Sequence, residues 1–126
     1  MMQKKQYTKR TQKLKSEKNG VMISIYNPLE ARFMEQLEQN SAVISYQKNV
    51  SLSGWETWIG AETFSVSPAA VTTDFLVQYS DGHQEAIEIV ERKTLGKPAT
   101  LQLLELSRRY WLGRRIDWGI WTDKEG

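Results

Sequence analysis

The chain has no cysteine, which removes a thiolate zinc site, a disulfide framework and a cysteine nucleophile together. Histidine is nearly as scarce: His83 stands alone, so a multi-histidine metal cluster is excluded. No apolar run approaches the roughly 20 residues that cross a bilayer, and the basic N-terminus lacks the apolar stretch of a secretory signal. These absences predict a cytoplasmic protein with no membrane partner. A length of 126 residues corresponds to one domain.

What is present is unevenly charged. The formal net charge is +2, yet seven of the seventeen basic residues fall in the first nineteen positions, with Glu17 as the single acid among them. The rest of the chain carries ten basic and fourteen acidic residues. Residues 1–20 therefore read as a basic, disordered tail with almost no large apolar group. Such a tail is either an arm for a polyanion such as double-stranded DNA, releasing counterions at each phosphate, or a solvated leader.

Residues 21–126 read as a folded α/β domain. Val21 to Tyr26 is short, apolar and extended; Asn27-Pro28 then caps and opens a helix to about Asn40, with Leu29, Phe33 and Leu37 as its buried stripe. Ala42 to Leu52 reads as a strand, and Gly54 to Ala70, with Trp55 and Trp58, as a short strand or packed loop. Val71 to Tyr79 and Gln84 to Glu91 are apolar enough for strands covered on both faces. A second helix runs from Gly96-Lys97-Pro98 to about Leu112, ended by Gly113, and Ile116 to Thr122 is the last strand. The order predicts a small mixed sheet of three or four strands with a helix on each face, its last strand parallel to its neighbour.

The chemistry concentrates on the hairpin around Ser80-Asp81-Gly82, which carries Asp74 on one strand and Glu88 on the other. A two-residue loop sets Asp74 opposite Ile89. A three-residue loop, with Gly82 in the left-handed bulge position, sets Asp74 directly across from Glu88, and glycine at 82 favours it. A third register aligns Asp74 with Glu91 and Lys93, where Glu91-Arg92-Lys93 spells an acid, a spacer and a lysine. Opposed carboxylates repel unless a cation lies between them, and magnesium, or manganese in its place, suits two carboxylates and several waters.

Several residues admit two uses. Trp111, Trp118 and Trp121 repeat with the apolar pattern and read as core, whereas Trp55 and Trp58 could also face DNA or a partner. Arg108-Arg109 and Arg114-Arg115 either complement the helix C-terminus or contact phosphates. His83 reads as a turn residue.

Taken as words, Thr73-Asp74-Phe75-Leu76-Val77, Leu104-Glu105-Leu106, Arg108-Arg109-Tyr110-Trp111 and Trp121-Thr122-Asp123-Lys124-Glu125 resemble the TnsA-type endonuclease family of bacterial cut-and-paste transposons. Leu29-Glu30 resembles that family's helical glutamate, and the likeness runs over about residues 27–125. It implies a restriction-endonuclease-like core of the PD-(D/E)XK type. It implies magnesium-dependent hydrolysis of the 5′ transposon ends in a Tn7-like system, while a transposase subunit cuts the 3′ ends. By the same resemblance, Asp74 and Glu88 hold the metal and Glu30 assists from the first helix.

The chain departs from the family in two respects. The family's lysine falls at Val90, which has neither charge nor donor, so Lys93, Arg92 or Lys97 would have to serve. The family's C-terminal, winged-helix-like half lies beyond the resemblance. The expectations are a nuclease domain with impaired or rearranged catalysis or, as the alternative, a non-catalytic DNA-binding or transposase-assembly module.

Overall fold

The computed structural model describes residues 11–52, 54 and 71–123. Residues 55–70, with Trp55 and Trp58, lie outside these, as do residues 1–10 of the expected tail.

The tail expectation needs correction from Thr11 onward. Gln12–Ser16 forms strand β1, which pairs antiparallel with β2, Val21–Ile25, from Gln12↔Ile25 to Ser16↔Val21. Ile23 and Ile25 of β2 enter the core with Leu14 of β1 packed against it, and hydrogen bonds to distant residues fix the hairpin in place. Buried Ser16 donates to Glu38 Oε2 at 2.6 Å, and the Lys18 N–H donates to Glu38 Oε1 at 3.3 Å. The turn between the strands also caps the outer edge of β3: Asn19 Oδ1 accepts from the Tyr46 N–H at 2.9 Å, and Lys18 Nζ donates to the Val43 carbonyl at 2.7 Å.

Helix α1 spans Pro28–Gln39, with Asn27 Oδ1 accepting the Glu30 N–H at 2.9 Å and Pro28 in the first turn. Its inner face buries Leu29, Glu30, Phe33, Met34 and Leu37. The glutamate in that apolar stripe is the anomaly to which the site gives meaning.

Strands β3 (Val43–Ser51), β4 (Thr72–Tyr79), β5 (Gln84–Ile89) and β6 (Asp117–Trp121) form one sheet in that order. β4 runs antiparallel to both β3 and β5, and β6 returns parallel to β5 through helix α2, Pro98–Gly113. This is the small mixed α/β architecture expected for a restriction-endonuclease-like core. On one face Phe33, Met34 and Leu37 of α1 pack with Phe75, Val77, Ile87 and Tyr46, roofed by Ile23 and Ile25 of β2. On the other, Leu106, Tyr110 and Trp111 of α2 cover Leu76 and Ala86. Burial of a large side chain such as Phe75, which is 0% exposed, contributes roughly 1.5–3 kcal/mol. Among the described residues no helix is long and apolar enough to cross a membrane.

The β4–β5 hairpin takes the three-residue loop. Tyr79 N–H donates to His83 O at 2.9 Å, Gly82 N–H donates to Tyr79 O at 3.0 Å, and Gly82 sits at φ 97°, where a side chain would strain the backbone. The pairs Gln78↔Gln84 to Phe75↔Ile87 carry the register onward, so Asp74 comes opposite Glu88.

Besides a register shift between Val43 and Ser45 on β3, the sheet has an irregularity beside these acids. Phe75 and Val77 face α1, while Val71 belongs to the α2 cluster and Thr73 accepts a hydrogen bond from Trp111 of α2, so strict alternation breaks at Asp74. The neighbouring strand breaks with it. Lys48 and Val50 pair with Phe75 and Thr73, and the residue between them, Asn49, has φ 58°. Lys48 is thereby sent to the α1 side, against Glu30, and Val50 to the α2 side.

Candidate active site

Asp74 and Glu88 meet across the hairpin and fix one another through the backbone. Asp74 Oδ2 accepts the Ile89 N–H at 2.8 Å, and Glu88 Oε1 accepts the Asp74 N–H at 3.3 Å. From α2, Ser107 donates its hydroxyl to Glu88 Oε2 at 2.5 Å. Ser107 is itself held by Trp118 Nε1 at 3.0 Å, and beside it Trp111 Nε1 donates to Thr73 Oγ1 at 2.7 Å. Trp111 and Trp118 are thus core residues whose polar edges brace the site. Ser107 and Thr73, both buried, carry no site signal in the sequence beyond the place of Thr73 in the Thr73-Asp74 word; the α2 register against β4 brings them to the site.

The pair sits on a cleft of about 430 Å³ whose lining includes Asn27, Asp74, Glu88, Val90, Glu91 and Thr94. Among the described residues that line it there is no lysine or arginine. Glu88, 6% exposed, has its carboxyl pushed up to about 7 by burial and then by the charge of Asp74, against the hydrogen bonds it accepts. Burial also raises Asp74, opposed by the Ile89 N–H; there Glu30 adds repulsion and Lys48 relieves it. These are two carboxylates short of positive charge.

The other expected residues are placed unequally. Glu30 is buried on α1 and does not line the cleft; its Oε1 accepts the Tyr26 N–H at 3.0 Å and lies 3.0 Å from Lys48 Nζ. Val90 lines the cleft where the lysine was sought, and its N–H donates to Trp121 O at 3.0 Å. Lys93 is not brought in: it is exposed in the 3-10 turn Arg92–Thr94, and Asp74 aligns with Glu88 rather than with Glu91 or Lys93. That turn is tied down by the Arg92 N–H donating to Asp123 Oδ1 at 2.7 Å. Arg92 and Lys97 are likewise exposed and off the cleft wall. Arg108 and Arg109 are engaged on the surface of α2 by Glu105, at 2.8 and 2.7 Å. His83 stays in the turn, its ring stacked on Tyr79 and bonded to Asp81. Lys48 drew no attention as a site residue in the sequence, because a lysine in a loosely alternating strand looks like any solvated one.

The donor set decides which ion could fit. No cluster of three or more His, Asp or Glu closes a cage among the described residues. Two hard carboxylates on an open cleft suit a cation that keeps most of its waters, such as magnesium or manganese, and do not suit zinc.

Comparison with known proteins agrees in extent and position. Residues 31–123 match the sequence model for the TnsA-like endonuclease N-terminal domain, a span that takes in Asp74, Glu88 and Val90 and begins one residue after Glu30. The chain is 33% identical over 125 residues to the transposition protein TnsA of transposon Tn7 from Escherichia coli. That match covers 92% of this chain and 46% of the relative, so the chain spans about half the length of the curated protein it matches.

Proposed function

The chain belongs to the TnsA-like endonuclease N-terminal family, and from that premise we propose that it is the nuclease domain of an endonuclease subunit in a Tn7-like transposition system. Its substrate is duplex DNA at the transposon ends. It cuts the 5′ strands in the cytoplasm, beside a transposase subunit that cuts the 3′ strands. The observation that most supports this reading is the Asp74–Glu88 pair, anchored by backbone N–H groups at the cleft.

Asp74 and Glu88 would hold a magnesium ion, or manganese in its place. When bound, the metal supplies Lewis acidity, which lowers the pKa of a bound water and offsets charge on the scissile phosphate. The chain's own residues do the rest. The Ile89 N–H orients Asp74, and Ser107 with the Asp74 N–H orients Glu88, so both carboxylates are set before a cation arrives. Each oxygen so engaged keeps a second lone pair for a ligand bond. The basic residues of the N-terminal segment add affinity for DNA without sequence preference, since they meet phosphates and not base edges.

A second reading, a DNA-binding or assembly module without catalysis, is favoured by one observation: Val90 stands in the cleft where the family's lysine falls. A nicking assay on transposon-end DNA, with magnesium or manganese and the cognate transposase, separates the two. Metal-dependent 5′-strand cleavage that Asp74→Asn abolishes supports the nuclease. DNA binding without cleavage under every metal condition supports the module.

A further inference from the structure

Lys48 is half-buried as a residue, but its side chain is only 5% exposed, which requires explanation. Removing an ammonium group from water is costly, and a buried ion pair is often no more stable than a well-packed apolar pair of similar volume. Lys48 nevertheless lies inside, with Nζ 3.0 Å from Glu30 Oε1 and 2.9 Å from Asn49 Oδ1, over the rings of Tyr26 and Phe75 at 4.7 and 5.5 Å. The face switch at Asn49 delivers it there, and its pairing partner on β4 is Phe75, the chain neighbour of Asp74. It does not line the cleft; it lies beside it on the α1 side, together with Glu30.

We infer that Lys48 is a positioning residue that acts on the metal-binding pair through Glu30, without itself entering the cleft. By pairing with Glu30 it cancels the third negative charge next to Asp74 and Glu88 and holds that carboxylate back from the metal-binding pair. The cleft then presents two acids rather than three. This rests on the nuclease reading above. A purely structural lysine would leave metal affinity unchanged or, through a damaged fold, weaken it. A lysine with the role inferred here restrains metal affinity and supports cleavage, so its removal moves the two in opposite directions.

The test uses the whole chain, with Mn²⁺ as the probe, titrated calorimetrically in parallel with cleavage of transposon-end DNA in the presence of transposase. Lys48→Met should bind Mn²⁺ roughly three- to tenfold more tightly, because an attractive charge is uncovered. Its cleavage should fall at least about 100-fold, because a third carboxylate would offset the charge that the metal lends to the scissile phosphate. Lys48→Arg, which keeps the charge, should return Mn²⁺ affinity to within about twofold of native and cleavage to within roughly tenfold. If Lys48→Met binds Mn²⁺ no more tightly, or cleaves as the native protein does, the assignment is overturned while the nuclease reading stands. If Lys48→Met does not fold, Lys48→Met/Glu30→Gln, which removes the buried pair together, is compared with native protein. Mn²⁺ affinity and cleavage both within about tenfold of native support the assignment, because Lys48 is dispensable once Glu30 carries no charge, and lost cleavage by a folded double variant overturns it. If the native protein neither binds Mn²⁺ nor cleaves, the nuclease reading falls, and this assignment falls with it.

Discussion

Glu38 and Glu88 are both carboxylates drawn out of water by hydroxyl-bearing neighbours, and they end in opposite states. At Glu38 burial works against ionisation, but the Ser16 and Tyr46 hydroxyls and the N–H groups of Lys18 and Glu17 outweigh it, so the carboxyl lies below its ordinary range. At Glu88 burial is deeper, Asp74 adds a like charge, and the donors do not compensate, so the carboxyl rises to about 7. One is satisfied by the protein and ties β1 to α1 and β3. The other is left with an unmet demand for positive charge, and that demand separates a binding site from a structural bond.

The strongest way to break this contrast is to neutralise each acid in turn. Asp74→Asn or Glu88→Gln should lower metal-dependent cleavage by about 10³-fold or more, equivalent to about 4 kcal/mol of transition-state stabilisation. Glu38→Gln should leave the cleavage rate of folded protein within about twofold of native. Equal losses at both positions in the nicking assay would erase the distinction.

The next largest effect is on stability in chelator, where the two acids have opposite signs. The folded pKa of Glu88, about 7, stands above its ordinary value of 4.5. Its contribution is therefore fully present below pH 4.5 and is lost as pH rises through 7, a span worth about 3 kcal/mol. Glu88→Gln should remove that slope and leave the metal-free protein more stable than native at pH 8. The folded pKa of Glu38 is depressed, so its contribution is present above the ordinary carboxylate range and disappears as the solution is acidified through the folded value. Urea unfolding of native, Glu88→Gln and Glu38→Gln proteins between pH 4 and 8 reads both signs.

Supplying Glu88 with the charge it lacks sharpens the comparison further. Val90→Lys places an ammonium on the cleft wall and should raise cleavage by no more than about tenfold if Lys48 already serves the site. A gain of about 10²–10³ would mean that the native site has no working cation. The smallest effect is expected at the satisfied acid's own donors. Tyr46→Phe or Ser16→Ala should cost about 1 kcal/mol each in urea unfolding, with cleavage of the folded protein unchanged.

Much of this was legible in the sequence. Gly82 pointed to the loop that sets Asp74 opposite Glu88, and Asn27-Pro28 with the Leu29, Phe33, Leu37 stripe marked the first helix, because each signal is local. What was hidden depends on partners far along the chain. Strand β1 looked like a disordered tail because its anchors, Glu38 and Tyr46, lie more than twenty residues away. Ser107 enters the site only through the packing of α2 on β4 and β5. Lys48 enters through the left-handed turn of the backbone at Asn49, which no periodicity announces.

The turn at Lys18 and Asn19 has a consequence beyond tethering. Among the described residues β3 is the outer strand of its sheet, and an outer strand with free N–H and C=O groups is a template on which other chains can assemble into aggregates. The Tyr46 N–H and the Val43 carbonyl are spoken for by side chains of the same molecule. A passing strand would have to dislodge both before it could add to the sheet at that border. The polar hairpin thus also protects solubility, and at two atoms it blocks the sheet from growing sideways.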